Sequence, residues 1–186
     1  MTVSTRKQGA HKDRAEQILD FAEREIRKNG FDGVSFRDIA DAIGVKSASV
    51  HYHFPTKADL GAEVTRRYAT RFIDELGPAD DPAETSRDRM RRLADGYIAA
   101  YKRDTSTCLC AVLGSVVTHL PDGTSKEVRD FYTRLQSWVK EALSGSETRL
   151  TPSVVVGTLQ GAMILSLSTA DASHLTIAKD HITSLS

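Results

Sequence analysis

The chain contains two cysteines, Cys108 and Cys110, which are separated by one residue. The polar run from Thr105 to Thr107 predicts a helix start, which would place a thiol in the first helical turn, where the helix dipole lowers its pKa. A thiolate in that position reacts with oxidants or electrophiles. Small buried cysteines are also common in helical cores, and for either residue alone this packing interpretation is the stronger one.

Metal binding and enzymatic catalysis are the other chemistries that these thiols suggest. Along one helix, however, His119 lies about 16 Å of rise from Cys108, too far to share an ion unless a partner chain contributes. A cysteine hydrolase needs a base beside the thiol, and His119, His174 and His181 belong to no motif that links them to it. The sequence therefore predicts no enzyme, no metal site and no cofactor. A metal- or thiol-dependent sensor or enzyme that uses Cys108 and Cys110 is the alternative.

A second informative segment reads SFRDIADAIGVKSASVHYHFPTKADL and runs from Ser35 to Leu60. Ser35 is a good helix N-cap with Asp38 three residues later, and apolar residues follow at helical spacing. Gly44 ends that helix, and a second helix opens near Ser47. The second helix has an apolar inner side and a polar-aromatic outer side: Val50 and Phe54 inward; Ser47, Ser49, His51, Tyr52 and His53 outward. A short helix presented in this way enters a DNA major groove, while the first helix crosses the backbone.

These residues resemble the DNA-binding domain of TetR-family transcriptional regulators, whose pattern runs roughly T-x-x-x-I-A-x-x-A-G-V-x-x-G-x-x-Y-x-Y/H-F-x-x-K-x-x-L. The positions that fit are Ser35, Ile39, Ala40, Gly44, Val45, His53, Phe54, Lys57 and Leu60. The trailing H-F-P-T-K-A-D-L is specific to this family. The chain departs from the pattern at Ala48, where the family often has Gly, and at His51, where it usually has a phosphate-contacting Tyr.

The resemblance implies a role in DNA contact for eight residues. Those at positions that reach base edges are Arg37, Ser47, Ala48 and Ser49. Those at positions that touch phosphates or adjacent sugars are His51, Tyr52, His53 and Lys57. Lys57 would sit at a helix start whose free N–H groups also attract phosphate, and its alternative is a solvated surface charge. For His51 and His53 the alternative is packing.

The overall charge does not by itself indicate a nucleic-acid partner, because the 186 residues include 25 basic and 25 acidic side chains. Positive charge is local instead, in an N-terminal arm that contains Arg6, Lys7, His11, Lys12 and Arg14. A disordered tag or tail is the alternative for residues 1–9. The N-terminus is polar and has no apolar signal segment, so we expect a cytoplasmic protein.

Helical periodicity continues along the rest of the chain and predicts an all-α fold. Residues 1–56 would form the N-terminal arm and a three-helix helix-turn-helix DNA-binding domain, and residues 57–186 a helical ligand-binding and dimerisation domain. The apolar stripe from Leu109 to Leu120 predicts one amphipathic helix. The most apolar stretch, Val154 to Leu167, is too short and too polar to span a bilayer, which predicts a buried helix and no membrane partner.

In the family that the chain resembles, the last two long helices of each subunit pack against their copies in a four-helix dimer interface. Gly157 and Gly161, with Ala162 beside them, would let another helix approach closely. Small residues at this spacing are also common inside a single-chain core, and periodicity alone does not distinguish the two kinds of burial.

Together these features predict a homodimeric repressor that leaves a palindromic DNA operator when a small-molecule effector binds, or when a thiol is modified. The candidate ligand-binding residues are Tyr97, Tyr101, Cys108, Cys110, Phe131, Trp138 and Met163. An aromatic stripe at helical spacing is more often plain core. The CxLxxxL-type segment at Cys108 resembles a TetR subgroup that includes electrophile- and oxidant-responsive repressors.

Overall fold

The computed structural model describes the backbone of residues 3–186 and the side chains of residues 14–103 and 105–186. The predicted basic side chains Arg6, Lys7, His11 and Lys12, and the alternative of a tag or tail at residues 1–9, lie outside the described side chains. Residues 3–186 form nine α-helices and one 3₁₀-helix, without a β-strand, which confirms the all-α prediction. The α-helices are α1 (Val3–Asn29), α2 (Phe36–Ala42), α3 (Ser47–His53), α4 (Lys57–Leu76), α5 (Ser86–Asp104), α6 (Leu109–Gly114), α7 (Asp122–Ala142), α8 (Pro152–Thr169) and α9 (Ser173–Leu185).

Short hydroxyl side chains cap the helices near the predicted motif. The Ser35 hydroxyl accepts a hydrogen bond from the Asp38 backbone N–H at 3.2 Å and so begins α2. At α4 the Thr56 hydroxyl accepts from the Asp59 N–H at 3.1 Å, and the Thr56 N–H donates to the Asp59 carboxylate at 3.1 Å. Such reciprocal capping satisfies backbone donors that the first helical turn leaves free. The predicted cap at Ser35 is confirmed.

The prediction of one continuous helix from Leu109 to Leu120 is wrong. Helix α6 covers only its first half, and a separate 3₁₀-helix occupies Val117–His119. Between them, the Ser115 hydroxyl donates to the Val112 carbonyl at 2.7 Å, and Val116 has a non-helical backbone with φ −124° and ψ 20°. A glycine, a serine that binds the backbone and two β-branched valines follow one another here, and each lowers helix propensity. Apolar spacing alone did not reveal this break.

The chain packs as two compact units. Unit 1 comprises Met1–Tyr68 and Val112–Val128, and unit 2 comprises Ala69–Ala111 and Arg129–Ser186. The buried core of unit 1 includes Ile18, Leu19, Ala22, Ile26, Val34, Ile39, Val50, Leu60 and Val64. The buried core of unit 2 includes Met90, Leu93, Leu109, Phe131, Leu135, Val139, Val155, Leu159 and Met163. The predicted boundary between residues 56 and 57 separates the expected DNA-binding and regulatory functions and does not coincide with a division between the two packing units. It stays a prediction.

Helix α8 is buried along one face only. Its buried residues are Val155, Val156, Leu159, Gln160, Ala162, Met163 and Ser166. Its exposed large apolar residues are Val154, Ile164, Leu165 and Leu167. The prediction of a buried helix is therefore right for one face and wrong for the other, because composition does not tell which neighbours cover a helix. By length and composition α8 is also apolar enough to cross a membrane, which for one half-buried helix is weak evidence.

Arg67 connects α4 to α1 inside unit 1. Its guanidinium lies 2.7 Å from the carboxylates of Glu16 and Asp20 and 3.2 Å from that of Glu23. The Arg67 side chain is largely buried, so these charge-assisted hydrogen bonds are less screened than those of exposed surface pairs. They hold together the two helices that flank α2 and α3 in the sequence.

Gly61 allows other parts of unit 1 to approach α4 closely. A Cβ atom at this position would lie 2.5 Å from Cε2 of Phe31 and 2.8 Å from the hydroxyl oxygen of Thr124. Both distances are shorter than van der Waals contact. The phenyl ring of Phe31, which follows α1, and the start of α7 therefore pack against α4 only because residue 61 has no side chain.

Gly61→Ala should lower the free energy of unfolding by about 1–3 kcal/mol, because the added methyl group overfills this contact. Gly96→Ala on α5 is the control, since a Cβ there would meet only Cδ2 of Leu76 at 3.4 Å. That control should be neutral or stabilising, because alanine is a better helix former than glycine. Urea unfolding of both variants measures the difference, and equal stabilities would contradict the packing described for Gly61.

Candidate nucleic-acid interface

Helix α2 and the turn after it form a rigid support for α3. Ile39 and Ala40 are buried on the inner side of α2. Gly44 then adopts φ +69°, a left-handed conformation that favours glycine, and the Val45 N–H donates to the Ala40 carbonyl at 2.9 Å. The predicted end of the first motif helix at Gly44 is confirmed, and the hydrogen-bonded turn sets where α3 begins.

Helix α3 separates an anchoring side from an outward side. Val50 is fully buried, and Phe54, at the C-cap, is also buried. Ser47, Ala48 and His51 are exposed, and Ser49 and His53 are half-buried. Tyr52 has 74% of its surface exposed, the largest fraction among the exposed large apolar and aromatic residues of the described side chains. The predicted inward and outward positions of this helix therefore agree with its burial.

The two histidines of α3 each contact aromatic rings. The His51 ring meets the Phe36 ring edge-on at a centroid distance of 4.6 Å, and its Nδ1 lies 3.4 Å from the Pro55 carbonyl oxygen. The His53 ring lies between those of Tyr52 and Phe54, at 5.5 Å and 6.4 Å. Both histidines therefore pack against an aromatic ring and still lie on the outward side of α3. A role in phosphate contact stays a prediction for each.

Arg37 lies on the exposed side of α2. Its side chain is 86% exposed, and its Nε lies 3.9 Å from the Asp41 carboxylate one turn later. Exposed pairs of this kind contribute little to stability, since water and salt screen them. The guanidinium can therefore exchange Asp41 for another acceptor at small cost.

Lys57 occupies the first position of α4 and makes several contacts there. Its Nζ donates to the Asp32 carbonyl oxygen at 3.4 Å and lies 3.9 Å from the Asp32 carboxylate. The same ammonium lies 4.9 Å from the centroid of the Phe31 ring. These are long, partly exposed contacts that hold the lysine beside the N-terminus of α4.

All eight predicted DNA-contact residues thus lie in α2, α3 or the first turn of α4, within unit 1. Lys46 is a further candidate, which the sequence motif did not bring to attention. It is exposed and has the extended backbone of the α3 N-cap position, without a side-chain cap hydrogen bond. The signal that could have identified it is a basic residue between the two motif helices.

The predicted ligand-binding residues are all buried in unit 2. Several are held by contacts typical of a packed core. The Tyr101 hydroxyl donates to the Ser166 carbonyl at 3.2 Å, and the Trp138 indole N–H donates to the Gly77 carbonyl at 2.8 Å. The rings of Phe131 and Tyr97 both meet that of Phe72 edge-on, at 5.8 Å and 5.4 Å. Their assignment to a ligand site stays a prediction.

Cys108 and Cys110 are both buried and form no disulfide. Helix α6 begins at Leu109, so Cys108 lies immediately before the helix and Cys110 lies in its first turn. The Cys108 backbone N–H donates to the Met163 sulfur at 3.1 Å. Burial opposes attack by a reagent from solvent, and release through thiol modification stays a prediction. Among the described side chains, no three His, Cys, Asp or Glu residues cluster closely enough to hold a metal ion.

Comparison with known proteins supports the assignment of the motif. Residues 18–64 match the sequence profile of bacterial regulatory proteins of the tetR family. The HTH-type transcriptional repressor KstR2 of Rhodococcus jostii (strain RHA1) is 29% identical over 109 residues, which are 58% of this chain and 52% of that protein. The chain thus spans about half the length of this relative.

Solved structures resemble the chain over nearly its whole length. A TetR transcriptional regulator from Legionella pneumophila has a TM-score of 0.83 at 27% identity, covering 91% of this chain and 94% of that one. A TetR-family transcriptional regulator from Agrobacterium tumefaciens has a TM-score of 0.82 at 22% identity, covering 94% and 97% of the two chains. The second likeness shows the fold alone.

Two helices joined at a glycine turn, with a short polar-aromatic helix facing outward, define a helix-turn-helix regulator. The match at residues 18–64 identifies this segment as a tetR-family DNA-binding region, and together with the likeness in fold it supports a TetR-family transcriptional regulator.

Proposed function

We propose that the chain is a homodimeric repressor that binds a near-palindromic DNA operator and leaves it when a small molecule binds in unit 2. The outward face of α3 is the observation that carries this proposal. Val50 and Phe54 anchor the helix, and Tyr52 projects with 74% of its surface exposed. A polar face on a helix fixed in this way is suited to the major groove, and its relatives include proteins named as transcriptional repressors.

The two kinds of DNA contact would be divided between the elements of unit 1. Ser47, Ala48 and Ser49 begin α3 and would reach base edges together with Arg37 of α2. His51, Tyr52, His53 and Lys57 would contact phosphates or sugars. Lys57 lies in the first turn of the 20-residue helix α4, where free N–H groups also favour an anion. Phosphate contacts position the protein, whereas base contacts select the sequence.

The exposed apolar faces of α8 and α9 support a homodimer. A Cβ atom added at Gly157 or Gly161 would meet nothing within 4 Å, so these glycines do not serve a close approach within the described chain. Six large apolar side chains on the two helices are exposed: Val154, Ile164, Leu165, Leu167, Ile177 and Leu185. Apolar surface of this extent favours cover by another protein surface. A second copy would place two α3 helices about a two-fold axis.

Selection from a random DNA library should enrich a near-palindromic site, because two identical α3 helices must meet two half-sites. Lys57→Ala should weaken binding to all DNA sequences. It should also reduce the slope of log affinity against log salt concentration by about 1 per half-site. Arg37→Ala and Ser49→Ala should instead change the sequence preference. Asp74→Ala, an exposed substitution on α4 away from its first turn, is the control. A selection that returns no symmetric site would contradict the proposal.

Gly157→Leu and Gly161→Leu should each separate the dimer, because a large side chain would overfill the helix contact. Such overpacking should destabilise the interface by about 1–3 kcal/mol. Operator affinity should fall in parallel, since one half-site binds weakly alone. Ala99→Leu provides a matched control, because it adds the same side chain to an exposed position on α5. Light scattering measures the mass in solution. A monomeric wild type, or glycine variants as dimeric as the control, would refute this interface.

A further inference from the structure

A buried group of polar side chains in unit 2 has unfulfilled hydrogen-bonding capacity. We call Tyr97 on α5, Tyr132 on α7 and Gln160 on α8 the polar cluster. Tyr97 is 1% exposed and Gln160 is 8% exposed. The Tyr97 hydroxyl and the Gln160 Oε1 atom are both buried without a hydrogen-bond partner among the described residues. Buried polar atoms are nearly always paired, so two orphans in neighbouring side chains require an explanation.

The members of the polar cluster lie close enough to influence one another. Gln160 Nε2 donates a long hydrogen bond of 3.5 Å to the Tyr132 hydroxyl. The Gln160 side chain also interacts with the Tyr97 hydroxyl and partly offsets the effect of burial on the pKa of Tyr97, although this contact lacks the geometry of a full hydrogen bond. The nearby thiols of Cys108 and Cys110 contribute to raising the pKa of both tyrosines. The cluster therefore unites α5, α7 and α8 with the two cysteines that precede and begin α6.

The electrostatics of the polar cluster are those of an uncharged site. Burial raises the pKa of Tyr97 well above its usual value, with smaller effects from Cys108 and Tyr132. Burial likewise raises the pKa of Tyr132 far above its usual value. Both phenols are thus neutral donors at physiological pH. The main causes of the two shifts are burial and neighbouring tyrosine, cysteine and glutamine side chains, none of which is a lysine, arginine, aspartate or glutamate. Burial of an unpaired charge is costly, so the cluster favours an uncharged ligand group.

A groove on the surface of unit 2 is lined by one member of the cluster, Tyr132. Its volume is about 310 Å³, and it is lined by Tyr132, Thr133, Gln136, Ser137, Lys140 and Pro152. This volume is within the range of small-molecule sites, roughly 300–1,000 Å³. Tyr132 belongs both to the groove and to the cluster, because its hydroxyl accepts the hydrogen bond from Gln160. Lys140 is exposed, so solvent screens its charge.

We infer that the polar cluster recognises an uncharged ligand group that both donates and accepts hydrogen bonds, of the carboxamide type. The Tyr97 hydroxyl would donate to the ligand carbonyl, and Gln160 Oε1 would accept from the ligand N–H. The inference rests on the proposed function, because it assigns the chemistry of the small molecule that binds in unit 2. It deepens that proposal by excluding carboxylates and cations as the recognised group.

The test without ligand compares two tyrosines one turn apart on α5. Tyr97→Phe removes an unpaired hydroxyl and should leave the melting temperature unchanged or higher. Tyr101→Phe removes a hydroxyl that donates to the Ser166 carbonyl at 3.2 Å and should lower it. Equal losses in the two variants would show that the Tyr97 hydroxyl is paired, for instance by an ordered water, and would overturn the inference.

The test with ligand uses three planar probes of one shape: benzamide, benzoate and benzamidinium. Benzamide should raise the melting temperature of the wild type and should have less effect on Tyr97→Phe and on Gln160→Leu. Benzoate and benzamidinium should have little effect on any of them. No shift with benzamide, equal shifts with a charged probe, or a full shift in both cluster variants would overturn the inference. Operator selection with the free protein is measured separately, so a failure here is distinguishable from a failure of the proposed DNA-binding function.

Discussion

The arrangement of unit 1 depends on how a seven-residue helix is held in place. A helix this short is not stable by itself in water, because nucleation is costly and few backbone hydrogen bonds repay it. Helix α3 therefore exists through the burial of Val50 and Phe54 and through the turn at Gly44. The same anchoring makes its outward face rigid. A reading surface for DNA needs that rigidity, since base contacts depend on fixed side-chain positions.

Phe31 links this reading surface to a distant part of the sequence. Its ring lies under the ammonium group of Lys57 and against Gly61, where the Thr124 hydroxyl also approaches. Thr124 belongs to the segment Val112–Val128, which packs in unit 1 although it lies between two stretches of unit 2 in the chain. We expect a shift of that segment to be transmitted to Lys57 through the Phe31 ring, because close-packed contacts transmit strain.

Local features of the sequence were sufficient to predict the helix-turn-helix. Ser35, Thr56 and Gly44 act through neighbours in the chain, and the inward spacing of Val50 and Phe54 is a property of one helix. Features that depend on tertiary contacts were missed. The need for glycine at residue 61 arises from Phe31 and Thr124, which are far from it in sequence. The orphan atoms of Tyr97 and Gln160 likewise appear only when α5 and α8 are packed.

In a dimeric operator-binding protein, two α3 helices fixed by one dimer would meet two half-sites together. The most direct measurement is operator affinity after insertion of about five base pairs, half a helical turn, at the centre of the selected site. The insertion rotates one half-site to the opposite face of the duplex without changing either sequence. We expect a large loss of affinity, to the level of a single half-site. Unchanged affinity would be incompatible with binding by one dimer, because independent subunits do not sense the rotation.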